Sequence, residues 1–250
     1  MTETTVLIQT HGLGVKFGGV RAVRDVDFDV SHGERRAVIG PNGAGKTTLF
    51  RLLTGEVRPT EGSIKVFDTD VTYASVSYRA RRGLGRTFQT PLVFDGLSVR
   101  NNLCLAIQGD KGHHFSLRKM SASVQDEALE LAKMLEVDEF MDTLLADLSH
   151  GQRRQVEIAM ALGNKPKMLL LDEPAAGLAA VERQHLTATI QSLPRDITVL
   201  IIEHDMDIAL GLADKVTVMY EGQIVREGTP DVIRADDLVH EIYIGKSEAS

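Results

Sequence analysis

A glycine-rich segment constrains the fold of this chain more than any other feature. Residues 40–48 read Gly-Pro-Asn-Gly-Ala-Gly-Lys-Thr-Thr and lie between the apolar run Arg36–Ile39 and leucines at helical spacing. A strand, a glycine loop and a helix in this order form the phosphate-binding unit of nucleotide-binding α/β domains. Glycines let backbone N–H groups close around a phosphate, the lysine neutralises β and γ charge, and the next threonine offers its hydroxyl to Mg²⁺. The predicted nucleotide-binding residues are Gly40, Pro41, Asn42, Gly43, Ala44, Gly45, Lys46, Thr47 and Thr48.

A second apolar run ends in two carboxylates. Met168–Leu171 is followed directly by Asp172 and Glu173. A buried strand of this kind delivers one carboxylate to the metal ion and places the other beside the γ-phosphate, where it acts as general base for water. The alternative is a carboxylate that caps a helix. The phosphate loop favours the first interpretation because such a loop requires an acidic partner.

The remaining pattern predicts an α/β fold with a parallel sheet. Residues 6–39 alternate in hydropathy and predict antiparallel strands, interrupted at Gly18-Gly19 and His32-Gly33. Further parallel strands are expected at Met168–Leu171, Thr198–Ile202 and Lys215–Met219, and a hairpin at Tyr220–Gly228. We expect residues 1–88 and 164–250 to form a nucleotide-binding core with an N-terminal antiparallel β subdomain, and residues 89–163 to form an inserted helical subdomain.

Composition excludes several classes of protein. The net charge of −7 disfavours a general nucleic-acid binder, because a phosphate backbone would be repelled. The single cysteine, Cys104, rules out an internal disulfide, and its leucine neighbours predict a buried thiol. The start of the chain lacks the basic and apolar stretches of a signal peptide, and no window reaches the ~18 apolar residues of a membrane span. We therefore expect a cytoplasmic or peripheral protein.

The residues that discriminate among nucleotide-binding families follow the helical region. Leu-Ser-His-Gly-Gln begins at Leu148, 24 residues before Asp172 (172 − 148). This segment resembles the Leu-Ser-Gly-Gly-Gln signature of ABC ATPases. The resemblance implies that Ser149, His150, Gly151 and Gln152 bind the γ-phosphate of ATP held by an opposite subunit, in a dimer with two composite sites. In isolation, Ser149 would be interpreted as the N-cap of an ordinary helix.

The resemblance extends over nearly the whole chain. Phe17 stands where the family stacks an aromatic ring on adenine, and Gln89, after Gly-Arg-Thr-Phe, matches the glutamine that senses Mg²⁺, the attacking water and the membrane subunit. His204 matches the histidine that contacts the γ-phosphate. Alone, Phe17 would be interpreted as core and His204 as structural. The resemblance implies that the Mg²⁺ ligands are Thr47, Gln89 and Asp172, and that the catalytic residues are Lys46, Gln89, Glu173 and His204.

Within ABC ATPases, three segments look like the branched-chain amino acid and urea importer family. They are Gly85–Gln89, Phe94–Leu103 and the Gly-Thr-Pro-Asp-Val-Ile sequence that begins at Gly228. The resemblance implies an ATP-hydrolysing subunit at the cytoplasmic face of the membrane that powers uptake of branched-chain amino acids, urea or related small polar solutes. The implied partners are a second ABC ATPase subunit, identical or different, two transmembrane permease subunits and, indirectly, a periplasmic or extracytoplasmic solute-binding protein.

Two positions depart from the family pattern. His150 replaces a signature glycine, and Ala179 stands where the family commonly places an aspartate that crosses the dimer. Arg153 and Arg154 are interpreted as a solvated helix face.

The competing functions are those of a soluble ABC protein acting on ribosomes or DNA, a small-molecule phosphoryl-transfer enzyme and an exporter. A soluble ABC protein of this kind usually has a coiled coil, which this sequence lacks. A phosphoryl-transfer enzyme does not explain the signature segment. Exporters usually carry a fused membrane domain.

Overall fold

The computed structural model describes residues 5–87, 93–109 and 120–244 of the 250-residue chain. Over these residues the chain forms ten strands and nine α-helices, with two short 3₁₀ helices at Asp138–Phe140 and Leu145–Asp147. The strands are β1 (Val6–Phe17), β2 (Val20–Ser31), β3 (Arg35–Ile39), β4 (Glu61–Val66), β5 (Thr69–Asp70), β6 (Leu84–Arg86), β7 (Met168–Asp172), β8 (Thr198–Ile202), β9 (Lys215–Tyr220) and β10 (Gln223–Gly228). The helices are α1 (Lys46–Thr54), α2 (Val76–Arg81), α3 (Val99–Gly109), α4 (Ala122–Met134), α5 (His150–Leu162), α6 (Ala180–Ser192), α7 (Met206–Leu212), α8 (Pro230–Arg234) and α9 (Asp237–Ile244).

Two sheets organise the chain. A four-stranded antiparallel sheet has the order β2-β1-β4-β5, and a six-stranded sheet has the order β10-β9-β3-β8-β7-β6. In the larger sheet β3, β6, β7, β8 and β9 run parallel, and only β10 is antiparallel, as the second strand of a hairpin with β9. The predicted α/β class, with a parallel sheet and an N-terminal antiparallel subdomain, is confirmed. β4, β5 and β6 were not predicted, and β5 and β6, with two and three residues, carry too little periodicity to indicate a strand.

The central strands are covered on both faces. Every residue of β3, β7 and β8 is buried. Along β7, Leu169 and Leu171 belong to the core shared with the helical region, whereas Met168 and Leu170 belong to the core shared with α1 and the antiparallel sheet. Successive strand residues point to opposite faces, so a strand between two cores reads as a continuous apolar run.

The helical region packs on one side of the parallel sheet. α3, α4 and α5 contribute Val99, Leu103, Ala128 and Val156 to the core that includes β7 and β8. Cys104 is fully buried there, and burial raises the pKa of its thiol, so the expectation of a buried cysteine is confirmed. Among the described residues, no helix combines the length and the apolar character that a membrane crossing requires.

The parallel strands bring the predicted motifs to one edge. β3 leads into the glycine-rich segment, and the carboxyl ends of β7 and β8 lie beside it, since Val38 and Asp172 both pair with Ile202. The carboxyl ends of parallel strands meet at the same edge of a sheet, where ligands bind in open α/β folds. A nucleotide site is therefore expected at this edge.

Candidate functional site

The glycine-rich loop between β3 and α1 is built around a buried lysine. The Nζ atom of Lys46 donates to the carbonyl oxygens of Gly40 at 2.6 Å and Pro41 at 3.2 Å, and the residue is only 5% exposed. Gly45 has φ +102°, and a Cβ there would lie 2.6 Å from the carbonyl oxygen of Ala22, so only glycine fits. The N-cap residue of α1 is Gly45, which has no side chain to accept a hydrogen bond from the first N–H groups of the helix.

A cleft of about 650 Å³ opens over this loop. Its lining residues are Gly19, Val20, Arg21, Ala22, Arg24, Asn42, Gly43, Ala44, Gly45, Lys46, Thr47, Thr48, Glu173, Glu221 and Gly222. The β9–β10 turn is joined to the loop by a bond from Gly222 N to Ala44 O at 2.9 Å, and to β2 by a bond from Arg24 N to Gly222 O at 2.9 Å. The hairpin pattern predicts this turn, but it does not predict that the turn forms one wall of the cleft. Phe17 is 50% exposed and lies outside the lining, two residues before Gly19.

Asp172 ends β7 as a buried carboxylate. It is 3% exposed, and burial raises its pKa, with a further contribution from Glu173, while Arg86 and Arg154 oppose the increase. Its Oδ1 atom is buried and has no hydrogen-bond partner among the described residues. Buried polar atoms normally have a partner, and Mg²⁺ is a hard cation that prefers oxygen ligands. The carboxylate of Asp172, together with the hydroxyl of Thr47 on the first turn of α1, fits a magnesium ion.

Glu173 and His204 meet at the ends of adjacent strands. Glu173 lines the cleft and has φ +46°, and its N–H donates to Ile202 O at 2.9 Å. Its Oε2 atom lies 3.6 Å from Nδ1 of His204. Non-glycine residues in the left-handed region are uncommon and often occur at functional sites. The structure thus brings the predicted base and the predicted histidine together beside the phosphate loop.

A buried carboxylate that sequence reasoning missed supports this pair. Glu203 is fully buried, and its Oε1 atom accepts a hydrogen bond of 3.2 Å from Ala175 N. Burial raises the pKa of Glu203. Because Ala175 follows Glu173 by two residues, this contact holds the segment after the predicted base against the end of β8. The residue pattern offered no signal for it, since Glu203 and Ala175 are distant in sequence.

Arg154 on α5 corrects one prediction. It was interpreted as part of a solvated face, but it is 9% exposed and its guanidinium donates to three carbonyl oxygens at the end of β7. The acceptors are Asp172 O at 2.8 Å, Pro174 O at 3.1 Å and Glu173 O at 3.3 Å. The prediction was wrong for Arg154 because α5 packs directly on the chain that leaves the sheet, and that chain needs donors. Arg153 is partly exposed and pairs with Asp95.

The signature residues lie at the beginning of α5, away from the phosphate cleft. Ser149 is the N-cap: Gln152 N donates to Ser149 Oγ at 3.3 Å, and Ser149 N donates to Gln152 Oε1 at 2.9 Å. Ser149 and His150 are exposed, and Nε2 of His150 lies 3.4 Å from the position of a Cβ on Gly177. Gln89 lies outside the described residues, and its predicted roles stay predictions.

Comparison with known proteins decides the family. The sequence profile of the ABC transporter family matches residues 23–176. The chain belongs to the ABC transporter family. It is similar to BraF of Pseudomonas aeruginosa, a high-affinity branched-chain amino acid transport ATP-binding protein, at 34% identity over 96% of the chain and 98% of BraF. It is also similar to LptB of Acidithiobacillus ferridurans, a lipopolysaccharide export system ATP-binding protein, at 35% identity over 96% of the chain and 97% of LptB.

A solved structure supports the same family. The ADP conformation of MJ1267, an ATP-binding cassette of an ABC transporter, has a TM-score of 0.85 and 32% identity over 97% of this chain and 100% of that cassette. The predicted resemblance to ABC ATP-binding subunits is therefore confirmed. The chain is an ABC-type ATPase and a homologue of the ATP-binding proteins of branched-chain amino acid transport.

Proposed function

We propose that this chain is the motor subunit of an ABC importer, and that two cassettes close around two ATP molecules to drive transport. One observation carries the proposal: Glu173 and His204 lie 3.6 Å apart at the ends of β7 and β8, beside the loop that holds Lys46. A carboxylate at this position can act as general base for the attacking water, and a histidine beside it can contact the γ-phosphate.

The phosphate cleft supplies the groups that hold ATP. The N–H groups of residues 43–48 and the ammonium group of Lys46 surround the β- and γ-phosphates, and the exposed ring of Phe17 stacks on the adenine. Thr47, Asp172 and Gln89 would hold Mg²⁺, and the bound ion would neutralise charge on the phosphate oxygens. Oδ1 of Asp172, which has no hydrogen-bond partner within the described part of the chain, supports this assignment.

Hydrolysis in this proposal depends on Glu173. Its carboxylate accepts a proton from the attacking water, while His204 and Gln89 orient that water and the γ-phosphate. The backbone of Glu173 is held from two sides, by its own N–H bond to Ile202 O and by the guanidinium of Arg154 on its carbonyl. A general base fixed in this way reaches the water without a further rearrangement of the chain.

The separation of the two anion-binding motifs supports a dimer. The described residues that line the phosphate cleft include none of residues 149–152. Ser149 is nevertheless exposed at the beginning of α5, where a helix dipole favours an anion. We propose that a second cassette, identical or different, presents these residues to the nucleotide, so that each composite site combines two chains.

A groove beside the helical region supports docking of a membrane subunit. It has a volume of about 250 Å³ and lies where α2 and β6 face α3 and α5. Its walls are largely apolar, with charges supplied by Arg79, Arg86 and Glu157. Arg86 and Thr87 border residues 88–92, which contain Gln89. We propose that a cytoplasmic segment of a permease occupies this groove, so that the chain works peripherally at the membrane.

The transported solute is proposed from relatives. BraF serves transport of branched-chain amino acids, and we propose such amino acids, urea or a related small polar solute, delivered by a solute-binding protein. Export is the second candidate, because LptB is as similar to this chain as BraF is. The test is purification of the tagged chain from its native membrane in mild detergent, with mass spectrometry of co-purifying proteins. Two permeases with a solute-binding protein support import, and export-system membrane proteins or ribosomal proteins contradict it.

A further inference from the structure

A carboxylate of the same chain occupies the donors of the signature segment. Glu182 lies on the first turn of α6, and its Oε1 atom accepts hydrogen bonds from Ser149 Oγ at 3.2 Å and from Gly151 N at 3.2 Å. Its Oε2 atom accepts a bond of 3.1 Å from Ala179 N. The two donors on α5 are the groups that the proposed function assigns to the γ-phosphate bound on the partner subunit.

The local packing is built for this contact. A Cβ at position 151 would lie 3.0 Å from Oε1 and 3.1 Å from the carboxyl carbon of Glu182, so glycine allows the carboxylate to reach the helix. The pKa of Glu182 is lowered, first by the N–H of Ala179 and then by the N–H of Gly151, with smaller effects from Ser149 and His150. The contact therefore stabilises the charged form of the Glu182 carboxylate.

We propose that Glu182 is an internal stand-in for phosphate, which saturates the signature donors of the separated cassette and must leave them when the γ-phosphate of the partner's ATP arrives. This inference rests on the proposed function of the signature segment. Two anions cannot share the same N–H and O–H donors without repulsion, so closure requires Glu182 to withdraw. ADP lacks the γ-phosphate and leaves the contact in place.

Withdrawal of Glu182 reaches the hydrolytic residues through the chain. Glu182 holds the N–H of Ala179, and residues 174–179 connect α6 with Glu173. His150 lies beside Gly177 in the same segment. Arrival of a phosphate at Ser149 therefore frees the segment that follows the proposed base of the same chain. The contact gives a route between the two nucleotides that does not need a side-chain hydrogen bond at Ala179.

The test measures ATP-dependent dimerisation. In the Glu173→Gln background, which hydrolyses slowly, the dimer fraction is followed by light scattering against ATP concentration, with and without Glu182→Gln. Glu182→Gln removes the charge and keeps an amide oxygen that can accept from Ala179 N. We expect it to lower the half-saturating ATP concentration about tenfold, which corresponds to the free energy of one hydrogen bond to a charged group. ADP affinity, measured by calorimetry on the monomer, should not change. Glu130→Gln, an exposed site on α4, is the matched control for loss of one charge.

The outcomes distinguish displacement by phosphate from a structural role and from failure of the proposed function. If the Glu182 variant needs as much ATP as its parent, or more, the stand-in inference is overturned while the composite site survives. If the Glu173→Gln parent does not dimerise with ATP, the proposed function falls, and the inference falls with it. Because Glu182 also caps α6, thermal unfolding of both variants is recorded, and Glu182→Ala is measured alongside. A shift to lower ATP in both Glu182 variants supports displacement, whereas a shift to higher ATP in both supports a purely structural role.

Discussion

Glu173 combines a strained backbone with a position at the mouth of the phosphate cleft. It has φ +46°, its N–H donates to Ile202 O, and its carboxylate lies 3.6 Å from His204. We expect Glu173→Gln to lower ATP turnover by about 10²- to 10⁴-fold, the usual contribution of a general base. ATP-bound dimers should then accumulate, because opening follows hydrolysis. Phosphate release and size-exclusion chromatography with light scattering measure the two effects.

The control for this substitution keeps the cleft intact. Glu130→Gln removes a carboxylate from the exposed surface of α4, and its turnover should equal that of the parent. ATP binding by the Glu173 variant should also be retained, since the phosphates are held by the loop around Lys46. A Glu173→Gln protein that hydrolyses ATP at the parent rate would remove this residue from the mechanism.

Arg154 acts on the backbone that carries Asp172 and Glu173. Substitution by Met would leave the carbonyls of Asp172, Glu173 and Pro174 without their donor. We expect Arg154→Met to lower the free energy of unfolding by about 2–3 kcal/mol, the cost of unsatisfied buried groups. Turnover should also fall by about tenfold or more, since small displacements of catalytic groups are costly. Urea unfolding and steady-state hydrolysis measure these losses.

The neighbouring arginine provides the comparison. Arg153 is paired with Asp95 near the surface, so Arg153→Met should cost less than about 1 kcal/mol. Equal losses for the two arginines would contradict the role given to Arg154. Sequence reasoning treated the two residues alike, because the helical period does not tell which of two consecutive arginines faces a neighbouring loop. Lys46, Asp172 and Glu173 were predictable because their spacing and strand context are properties of a contiguous segment.

At the scale of elements, α2 is tied to the end of α1 by one arginine. Arg79 is 1% exposed, and its guanidinium donates to Leu52 O at 2.7 Å, Leu53 O at 2.6 Å and Val71 O at 2.6 Å. Burial lowers its pKa to about 10, so it remains charged at neutral pH. We expect Arg79→Met to lower the free energy of unfolding by about 3 kcal/mol, because several carbonyls lose their donor.

The exposed Arg81, on the same helix, is the matched control for this substitution. Arg81→Met should change the free energy of unfolding by less than about 0.5 kcal/mol, as expected of an exposed site without a structural role. Urea unfolding of both variants at one pH gives the comparison. If Arg79→Met matches Arg81→Met, the bonds from Arg79 to α1 add little stability.

Elements with a strong period were predictable, and those defined by long-range pairing were not. β7, β8 and β9 were expected because strands covered on both faces read as apolar runs. β6 exists through its pairing with β7, from Leu84↔Met168 to Arg86↔Leu170, and contains three residues. Arg79 donates to backbone carbonyl oxygens of α1 that lie 26 and 27 positions away. Every residue type has such a carbonyl, so these partners cannot be recognised from residue type. Such contacts form only when the helices and sheets of the fold pack together.

For the whole molecule, the separation of Lys46 from Ser149 leads to a test of the composite site. Lys46→Ala removes the phosphate loop's charge, and Ser149→Ala removes a donor of the signature segment. We expect each variant alone to have little ATPase activity. Mixed in equal amounts, half of the dimers should contain one of each chain, and every such dimer has one intact site. Activity should therefore recover to about a quarter of the parent value, because half of the dimers work with one of two sites.

The double variant Lys46→Ala/Ser149→Ala separates complementation from simple addition. Mixed with Lys46→Ala, it leaves no intact phosphate loop, and mixed with Ser149→Ala, it offers no intact signature segment to the intact loop. Neither mixture should recover activity. If the two single variants do not complement each other while both still dimerise with ATP, each chain uses its own signature residues.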